Sequence, residues 1–244
     1  MFVHYRTPAF FLKKTNRGES DQRFLCYTYR FGKVEVVGRA VRKIKSKLRQ
    51  GAELFYCSEI EFIQGKSYKT LTDAIVIEKF LGIKKNLKRI ALLHKISELV
   101  ESFLREGERD VKLWRLFRET FLRLNGELPS RVNLLLVYYY FFWNFLSLSG
   151  YLPELYGCVV CQKSTGTGKI YFSAKEGGLL CATCFVKGIV HDAKEINRNV
   201  IKVLRIMVEE DWKTIAKLRI MPDYLKKLGI VSRDFLLSLP RYEK

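Results

Sequence analysis

The sequence lacks the residue patterns on which the common enzyme mechanisms depend. It has three histidines, His4, His94 and His191, and none stands in an H-x-E or H-E-x-x-H pattern, so a zinc deaminase or protease is unsupported. Neither G-x-x-x-x-G-K-[ST] nor G-x-S-x-G occurs, which leaves no nucleotide-binding P-loop and no serine-hydrolase elbow. The segment TGTGK at 165–169 is too short for a P-loop and is interpreted as a hairpin turn. We therefore expect a protein that is not an enzyme.

Long apolar runs are also scarce. Residues 1–19 alternate like a strand and contain no cleavage site of small residues, so no secretory signal is predicted. Residues 132–148 (VNLLLVYYYFFWNFLSL) are slightly short for a membrane span and contain Asn133, Asn144 and Ser147, which favours a buried core helix. These features predict a cytoplasmic protein, in which thiols stay reduced.

Acidic residues are far outnumbered by basic ones. Lys and Arg total 44 against 25 Asp and Glu, which gives a formal net charge of +19. Such an excess attracts polyanions at long range and says nothing about the fold. Nucleic acid is the first partner that it predicts, and an anionic membrane surface is the second. The 244 residues, 48% of them hydrophobic, suffice for one large domain or for two to three small ones.

The apolar pattern changes at about residue 80. Before it, segments rich in β-branched and aromatic residues alternate with period two at 8–14, 23–29, 33–41, 53–63 and 67–77. Five short strands predict a small closed or half-closed barrel. Helical spacing follows at 83–105, 110–125, 132–148 and 195–215, with a short helical tail to about 237. The fold class is therefore α+β, with a cysteine module between helices.

Four of the six cysteines lie in one segment, CVVCQKSTGTGKIYFSAKEGGLLCATC. They are Cys158, Cys161, Cys181 and Cys184. The spacing C-x2-C-x19-C-x2-C predicts a tetrahedral zinc site, because two tight turns can direct four thiolates at one ion. Disulfides, an iron–sulfur cluster and a redox dithiol are the alternatives. Four protein ligands leave no open position, so we predict one structural ion per chain, and we predict Cys26 and Cys57 to be small core residues.

The densest positive segment, residues 39–49, lies between two predicted strands and is called the basic loop below. It contains no acid and six cations, Arg39, Arg42, Lys43, Lys45, Lys47 and Arg49. A merely solvated loop is one interpretation. The functional interpretation is a set of contacts with backbone phosphates, which bind through counterion release and do not read sequence. Aromatic residues of the barrel are candidates for stacking on bases, although alternation requires half of them to face the core: Tyr27, Tyr29, Phe31, Phe55, Tyr56 and Tyr68.

These motifs together resemble the bacterial recombination mediator family RecO, over nearly the whole chain. The family's G-E-x-D turn and following T-x-x-x-G-K are similar to residues 18–21 and 28–33, and its G-A-R-R-x-K-S-x-L-R loop is similar to residues 38–49. Its G-x-x-P-x-L-x-x-C-x-x-C and F-S-x-x-x-G-G-x-x-C-x-x-C patterns are similar to 150–161 and 172–184. Two departures are Val41 in the basic loop and Gln162, where the family usually has glycine.

The resemblance implies an N-terminal OB-fold and a division of the chain into four segments. These are an OB-fold DNA-binding domain at 1–80, a first helical part at 81–150, a four-cysteine zinc module at 151–188 and a second helical part at 189–244. It also implies a nucleoid-associated protein that binds single- and double-stranded DNA and anneals complementary strands. It further implies work with RecR to help RecA replace single-strand-binding protein, whose acidic C-terminal tail binds the helical part.

Composition agrees with that role without proving it. Residues 1–80 carry a net charge of +8 and residues 151–184 carry +1, so we assign the cysteine module to scaffolding and the basic loop to DNA. Three alternatives stay open at this point. A zinc-ribbon factor of transcription or translation would bind specific sequences or the ribosome, a nuclease would need clustered carboxylates that are not evident, and a peripheral membrane protein would bind liposomes.

Overall fold

Five strands close into a barrel at the start of the chain, in the order β1-β2-β3-β5-β4. The structure is a computed structural model and describes residues 3–130 and 132–240. The strands are β1 (His4–Arg17), β2 (Asp21–Thr28), β3 (Gly32–Gly38), β4 (Cys57–Gln64) and β5 (Lys69–Glu78). Every pair is antiparallel except β3 with β5, which is parallel. The barrel prediction is therefore confirmed, with five strands as expected.

Alternate residues of the strands fill the barrel with aliphatic and aromatic side chains. On β1, Ala9 and Phe11 belong to the interior cluster, while Phe10 lies on the other face. A short helix, α1 (Leu48–Gly51), lies against β5. Glycine is required at its end, because a Cβ on Gly51 would lie 1.8 Å from the carbonyl oxygen of Ala74.

Three helices pack on the outside of the barrel. They are α2 (Leu81–Lys84), α3 (Leu87–Phe103) and α4 (Val111–Asn125). The ring of Phe10 lies 4.6 Å from that of Phe121 and 4.8 Å from that of Trp114, and the ring of Tyr27 lies 4.7 Å from that of Phe117. Because these contacts bury the outer face of β1 at Phe10 and of β2 at Tyr27, the compact unit extends beyond the last strand and ends at residue 127.

The second compact unit begins at residue 128 and contains the remaining elements. They are α5 (Leu134–Leu148), β6 (Ile170–Ser173), β7 (Gly178–Cys181), α6 (Ala182–Val186), β8 (Lys194–Glu195), α7 (Arg198–Glu209), α8 (Trp212–Ile215) and α9 (Pro222–Ser238). The aromatic helix α5 is its core. On this helix, the indole Nε1 of Trp143 donates to Oγ of Ser232 at 3.1 Å. The side-chain amide of Asn144 donates to the carbonyl of Met207 at 2.7 Å. The core-helix prediction is confirmed, and over the described residues no helix has the length and apolarity to cross a membrane.

Two predicted helices are each divided in two. The predicted helix 83–105 begins only after Asn86, whose side chain accepts hydrogen bonds from the amides of Lys88 and Arg89 and so caps α3. The predicted helix 195–215 is interrupted before Asp211, which caps α8 through the amide of Thr214. Asn and Asp compete with continuous helix by bonding free amides, and both breaks follow from that chemistry.

Candidate nucleic-acid interface and metal centre

The basic loop leaves the barrel at the end of β3 and presents all of its cations to solvent. Arg39, Arg42, Lys43, Lys45, Lys47 and Arg49 are each exposed. Within residues 3–130 and 132–240, none of these six is ion-paired with a carboxylate. Six cations without an acidic partner on one exposed loop are the arrangement that attracts a polyanion, because such cations can displace counterions from phosphates.

Two apolar side chains anchor this loop to the barrel. Val41 is 3% exposed and belongs to the interior cluster, and Leu48 packs against the same cluster. A Cβ on Gly38 would lie 2.4 Å from Cγ2 of Val41, so the glycine at the loop's start makes room for this anchor. Valine at position 41 therefore has a structural role, and it fixes the base of the loop while the cations stay outside.

The turn between β1 and β2 also supports the loop. The backbone amide of Arg42 donates to the carbonyl of Ser20 at 3.0 Å, and Nη1 of Arg42 donates to the carbonyl of Glu19 at 2.9 Å. These residues belong to the G-E-x-D segment noted above. Two sequence motifs that lie twenty residues apart thus form one structural element.

The loop between β4 and β5 contacts the basic loop and the end of β1 through Tyr68, which precedes β5. The guanidinium of Arg39 donates from Nη2 to the hydroxyl of Tyr68 at 2.8 Å, and the guanidinium carbon of Arg17 lies 4.4 Å from the centre of the tyrosine ring. Arg17 was not predicted as a site residue, because only barrel closure brings the ends of β1 and β5 together. The result is two exposed guanidiniums around one half-buried aromatic ring.

The structure reduces the set of aromatic residues that can stack on bases. Tyr27 is fully buried and Phe55 is 3% exposed, so these two belong to the half of the candidates that alternation required to face the core, and neither can stack on a base. The reason for Tyr27 is the packing of α4 on the outer face of the barrel. Three of the candidates have accessible surface and lie outside the interior cluster of the barrel: Tyr29, Tyr56 and Tyr68.

The four cysteines of the module meet at one point. Their sulfur atoms all lie within 4.8 Å of one another, and Sγ of Cys161 lies 3.9 Å from Sγ of Cys181. Sulfurs at about 2.3 Å from a tetrahedral ion would be about 3.8 Å apart. The arrangement is therefore compatible with a metal site, and Cys158 and Cys184 are its buried members.

The environment of the thiols favours a charged form at one of them. Burial raises the pKa of Cys158, but the backbone amides of Cys161, Cys181 and Val160 outweigh that effect and lower its pKa to about 6. Burial and contact with the neighbouring thiols raise the pKa of Cys184 to about 12. Four thiols packed together cannot all ionise without a cation between them, which is the condition that metal ligation meets.

Local backbone hydrogen bonds shape the first knuckle. The amide of Cys158 donates to the carbonyl of Lys163 at 2.9 Å, and the amide of Gln162 donates to the carbonyl of Cys158 at 2.8 Å. Gln162 has φ of 59°, in the left-handed region that favours glycine. The second knuckle is supported by Phe185, whose ring stacks on that of Tyr171 at 3.6 Å.

The remaining two cysteines have no part in this site. Cys26 is fully buried in the barrel, and Cys57 is 7% exposed at the start of β4. Burial raises the pKa of both thiols, that of Cys57 to about 12, so neither is a reactive thiolate. The prediction that they are core residues is confirmed.

Comparison with known proteins identifies the family. The family model described as Recombination protein O N terminal matches residues 1–80, and the one described as Recombination protein O C terminal matches residues 84–238. The chain belongs to the RecO family. It is 32% identical over 230 residues to the DNA repair protein RecO of Dehalococcoides mccartyi (strain CBDB1), covering 94% of this chain and 88% of the relative. It is 28% identical over 232 residues to that of Alkaliphilus metalliredigens (strain QYMF), covering 95% and 92%.

Membership of the RecO family identifies the fold of the barrel and the general role of the protein. The closed five-stranded barrel is the OB-fold of the RecO N-terminal domain, and the chain belongs among proteins of DNA repair and recombination. In this member of the RecO family, the predicted metal ligands lie together in one cluster. The basic loop lies on the OB-fold with its charges exposed.

Proposed function

We propose that this RecO-family protein is a DNA-binding recombination mediator. It binds single- and double-stranded DNA through the basic loop, anneals complementary strands, and with RecR helps RecA replace single-strand-binding protein. The observation that supports this proposal most is the set of six exposed cations on a loop fixed to the barrel by Val41 and Leu48. The family membership supports the role in recombination, and the geometry of the loop supports DNA binding through phosphate contacts.

Annealing requires charge neutralisation more than covalent chemistry. Two complementary strands repel each other through their phosphates, and cations that contact both strands lower that repulsion. Contacts with the backbone leave the base edges free to pair, because phosphate contacts carry no sequence information. A protein of this kind needs no nucleophile and no general base, and we propose that it is not an enzyme.

We propose that the cysteine cluster holds one zinc ion with a structural role. The ligands would be Cys158, Cys161, Cys181 and Cys184. Sulfur is a ligand that zinc prefers, and four of them leave no position for water or substrate. The complex of a divalent ion with four thiolates carries two negative charges, so it offers no positive charge to DNA. The ion would hold the two knuckles together, and its binding free energy would contribute to the folding of the module.

The acidic tail of single-strand-binding protein is proposed to bind the helical part of the chain. Four arginines of the first helical part are candidates for this contact: Arg115, Arg118, Arg123 and Arg131. The structure leaves Arg115 and Arg118 exposed on α4, one turn apart, while Arg123 pairs with Glu119 at 2.5 Å. Arg131 lies outside the described residues. Arg115 and Arg118 are therefore the pair to test.

The experiment that tests the proposed function follows duplex formation. Two complementary strands coated with single-strand-binding protein are mixed with the purified protein, and pairing is measured by fluorescence energy transfer between end labels. The protein should accelerate pairing, and replacement of Arg42, Lys43 and Lys45 by Ala should reduce the rate. A rate equal to that without protein would reject the proposal.

A further inference from the structure

A recess of about 950 Å³ lies on the barrel beside α1, along the second half of β5. This volume falls in the range of roughly 300–1,000 Å³ that binding pockets for small molecules occupy. Gly51 and Ala74 both line the recess, and their close approach places α1 directly against β5. The basic-loop prediction includes Lys47 and Arg49 of this lining, but it does not account for the rest of the recess.

The recess combines positive charge with apolar surface. Three exposed cations line it: Lys47 and Arg49 from the end of the basic loop, and Lys79 from the residue after β5. None of the three pairs with a carboxylate among the residues that the structure describes. Its acid, Glu53, pairs with the ammonium of Lys14 at 2.5 Å, so the formal charge of the lining side chains is positive overall.

The apolar part of the lining suits a flat ring. Ile44 is 89% exposed and Ile75 is 52% exposed, and both line the recess. Tyr56 lies in the same wall, with the ammonium of Lys84 4.0 Å from the centre of its ring. Cations together with an accessible aromatic ring and aliphatic side chains are the combination that binds one unit of a single-stranded nucleic acid, phosphate and base together.

We propose that this recess holds one nucleotide of a single strand that crosses the basic loop, with the phosphate on Lys79 and the base against Tyr56. The bound strand then runs from the loop along β5. Two features favour this occupant. The cations of the lining complement the phosphates of a strand, and Lys47 and Arg49 belong both to the recess and to the basic loop. The inference rests on the proposed DNA binding by that loop and adds a second, base-accepting part to it.

The chain allows the loop and the recess to be tested separately. Arg42, Lys43 and Lys45 belong to the loop and do not line the recess, whereas Lys79 lines the recess and lies outside the loop. Lys79→Ala should reduce the slope of log affinity against log salt by about 0.7 on single strands, the contribution of one phosphate. Arg30→Ala is the matched control, because Arg30 is an exposed cation in the turn at the opposite end of β3 from the basic loop.

Two further measurements examine the base. Tyr56→Ala should weaken single-strand binding at least about fivefold, the lower limit for loss of one aromatic stack, while Tyr56→Phe should retain affinity. A strand that carries 5-bromodeoxyuridine should, on irradiation, crosslink to a peptide that contains Tyr56. The crosslink is measured on the unaltered protein, so it does not depend on the folding of a variant.

The outcomes separate this inference from the proposed function. A loss of slope in Lys79→Ala but not in Arg30→Ala, with the crosslink at Tyr56, supports the recess. A normal slope in Lys79→Ala and no crosslink at Tyr56, while the triple loop variant loses slope, overturns the recess and leaves the proposed function intact. If the triple variant also keeps its slope, both fail. If Lys79→Ala weakens an acidic peptide and not DNA, the recess is a peptide site and the inference is wrong.

Discussion

The carboxylate of Asp21 accepts a hydrogen bond from the backbone amide of Ala40, with Oδ1 and N 2.8 Å apart. Ala40 has φ of 53°, a left-handed conformation that is unfavourable for a residue with a Cβ. The bond from Asp21 stabilises this conformation at the start of the basic loop. Asp21, the first residue of β2, thus joins the G-E-x-D segment to the start of the basic loop.

This relationship predicts that Asp21 positions the basic loop. Asp21→Ala should weaken DNA binding relative to Asp21→Asn, because both remove the charge but only asparagine can still accept from the amide of Ala40. The lost hydrogen bond contributes about 1 kcal/mol. If all of this free energy orders the loop for binding, the affinity changes roughly fivefold. Fluorescence anisotropy with a labelled strand measures the difference. Equal affinities of the two variants would show that the bond has no effect on the loop.

The basic loop itself predicts a defined salt dependence. Replacing Arg42, Lys43 and Lys45 by Ala should flatten the slope of log affinity against log salt by about 2 on single strands and about 2.7 on duplex, if each contacts one phosphate. All sequences should be affected alike. The free energy of unfolding should change little, because exposed charges contribute little to stability.

A charge-conserving variant controls for that experiment. Arg42→Lys with Lys43→Arg and Lys45→Arg keeps three cations and should keep the slope. A loop that reads bases would lose discrimination between sequences in the triple alanine variant, and a merely solvated loop would change neither affinity nor slope. An unchanged slope would move the main DNA contact away from this loop.

Much of the fold could be read from local patterns. Period-two alternation locates five strands, and the spacing of the cysteines identifies four residues that the structure brings together. Both signals are local, because alternation requires only that one face be buried and a knuckle requires only two residues between ligands. The breaks at Asn86 and Asp211 were also legible in principle, since both are residues that favour helix N-caps.

What could not be read depends on contacts between distant segments. Arg17, Arg39 and Tyr68 meet only because the barrel closes, and no spacing in the sequence records that closure. The burial of Tyr27 depends on α4 packing over it, so alternation alone could not exclude it from base stacking. Val41 lies in a segment that reads as a charged loop, and only the structure shows it inside the barrel.

The helical arginines predict a binding site for the acidic tail of single-strand-binding protein. A peptide with that tail's acidic residues and hydrophobic end should bind saturably at low salt. Replacing Arg115 and Arg118 by Ala should weaken it, because both guanidiniums are exposed on one face of α4. Isothermal titration calorimetry measures the affinity, with Arg30→Ala as the control for loss of an arginine elsewhere. Absence of saturable binding to the unaltered protein would refute the tail site.

The cysteine cluster predicts one zinc ion per chain. Elemental analysis of anaerobically purified protein should give about one equivalent, and Cys158→Ser should reduce both metal content and the free energy of unfolding. Cys26→Ala is the control, since it removes a buried thiol that lies outside the cluster. Zinc retention should fall as pH falls, because protons compete with the metal for thiolates. Protein without stoichiometric metal would contradict the assignment.

The left-handed backbone at Gln162 predicts that a single substitution stabilises the cysteine module. This residue is exposed and has φ of 59°, so its side chain adds strain and no packing. Gln162→Gly removes the clash of a Cβ in the left-handed region, which costs about 1–2 kcal/mol, and loses part of that gain to the greater freedom of glycine in the unfolded chain. The net effect should be a gain of about 1 kcal/mol in the free energy of unfolding and slower loss of zinc to a chelator. Gln162→Ala keeps the Cβ and should gain nothing, so equal stability of the glycine and alanine variants would show that no strain is stored at this turn.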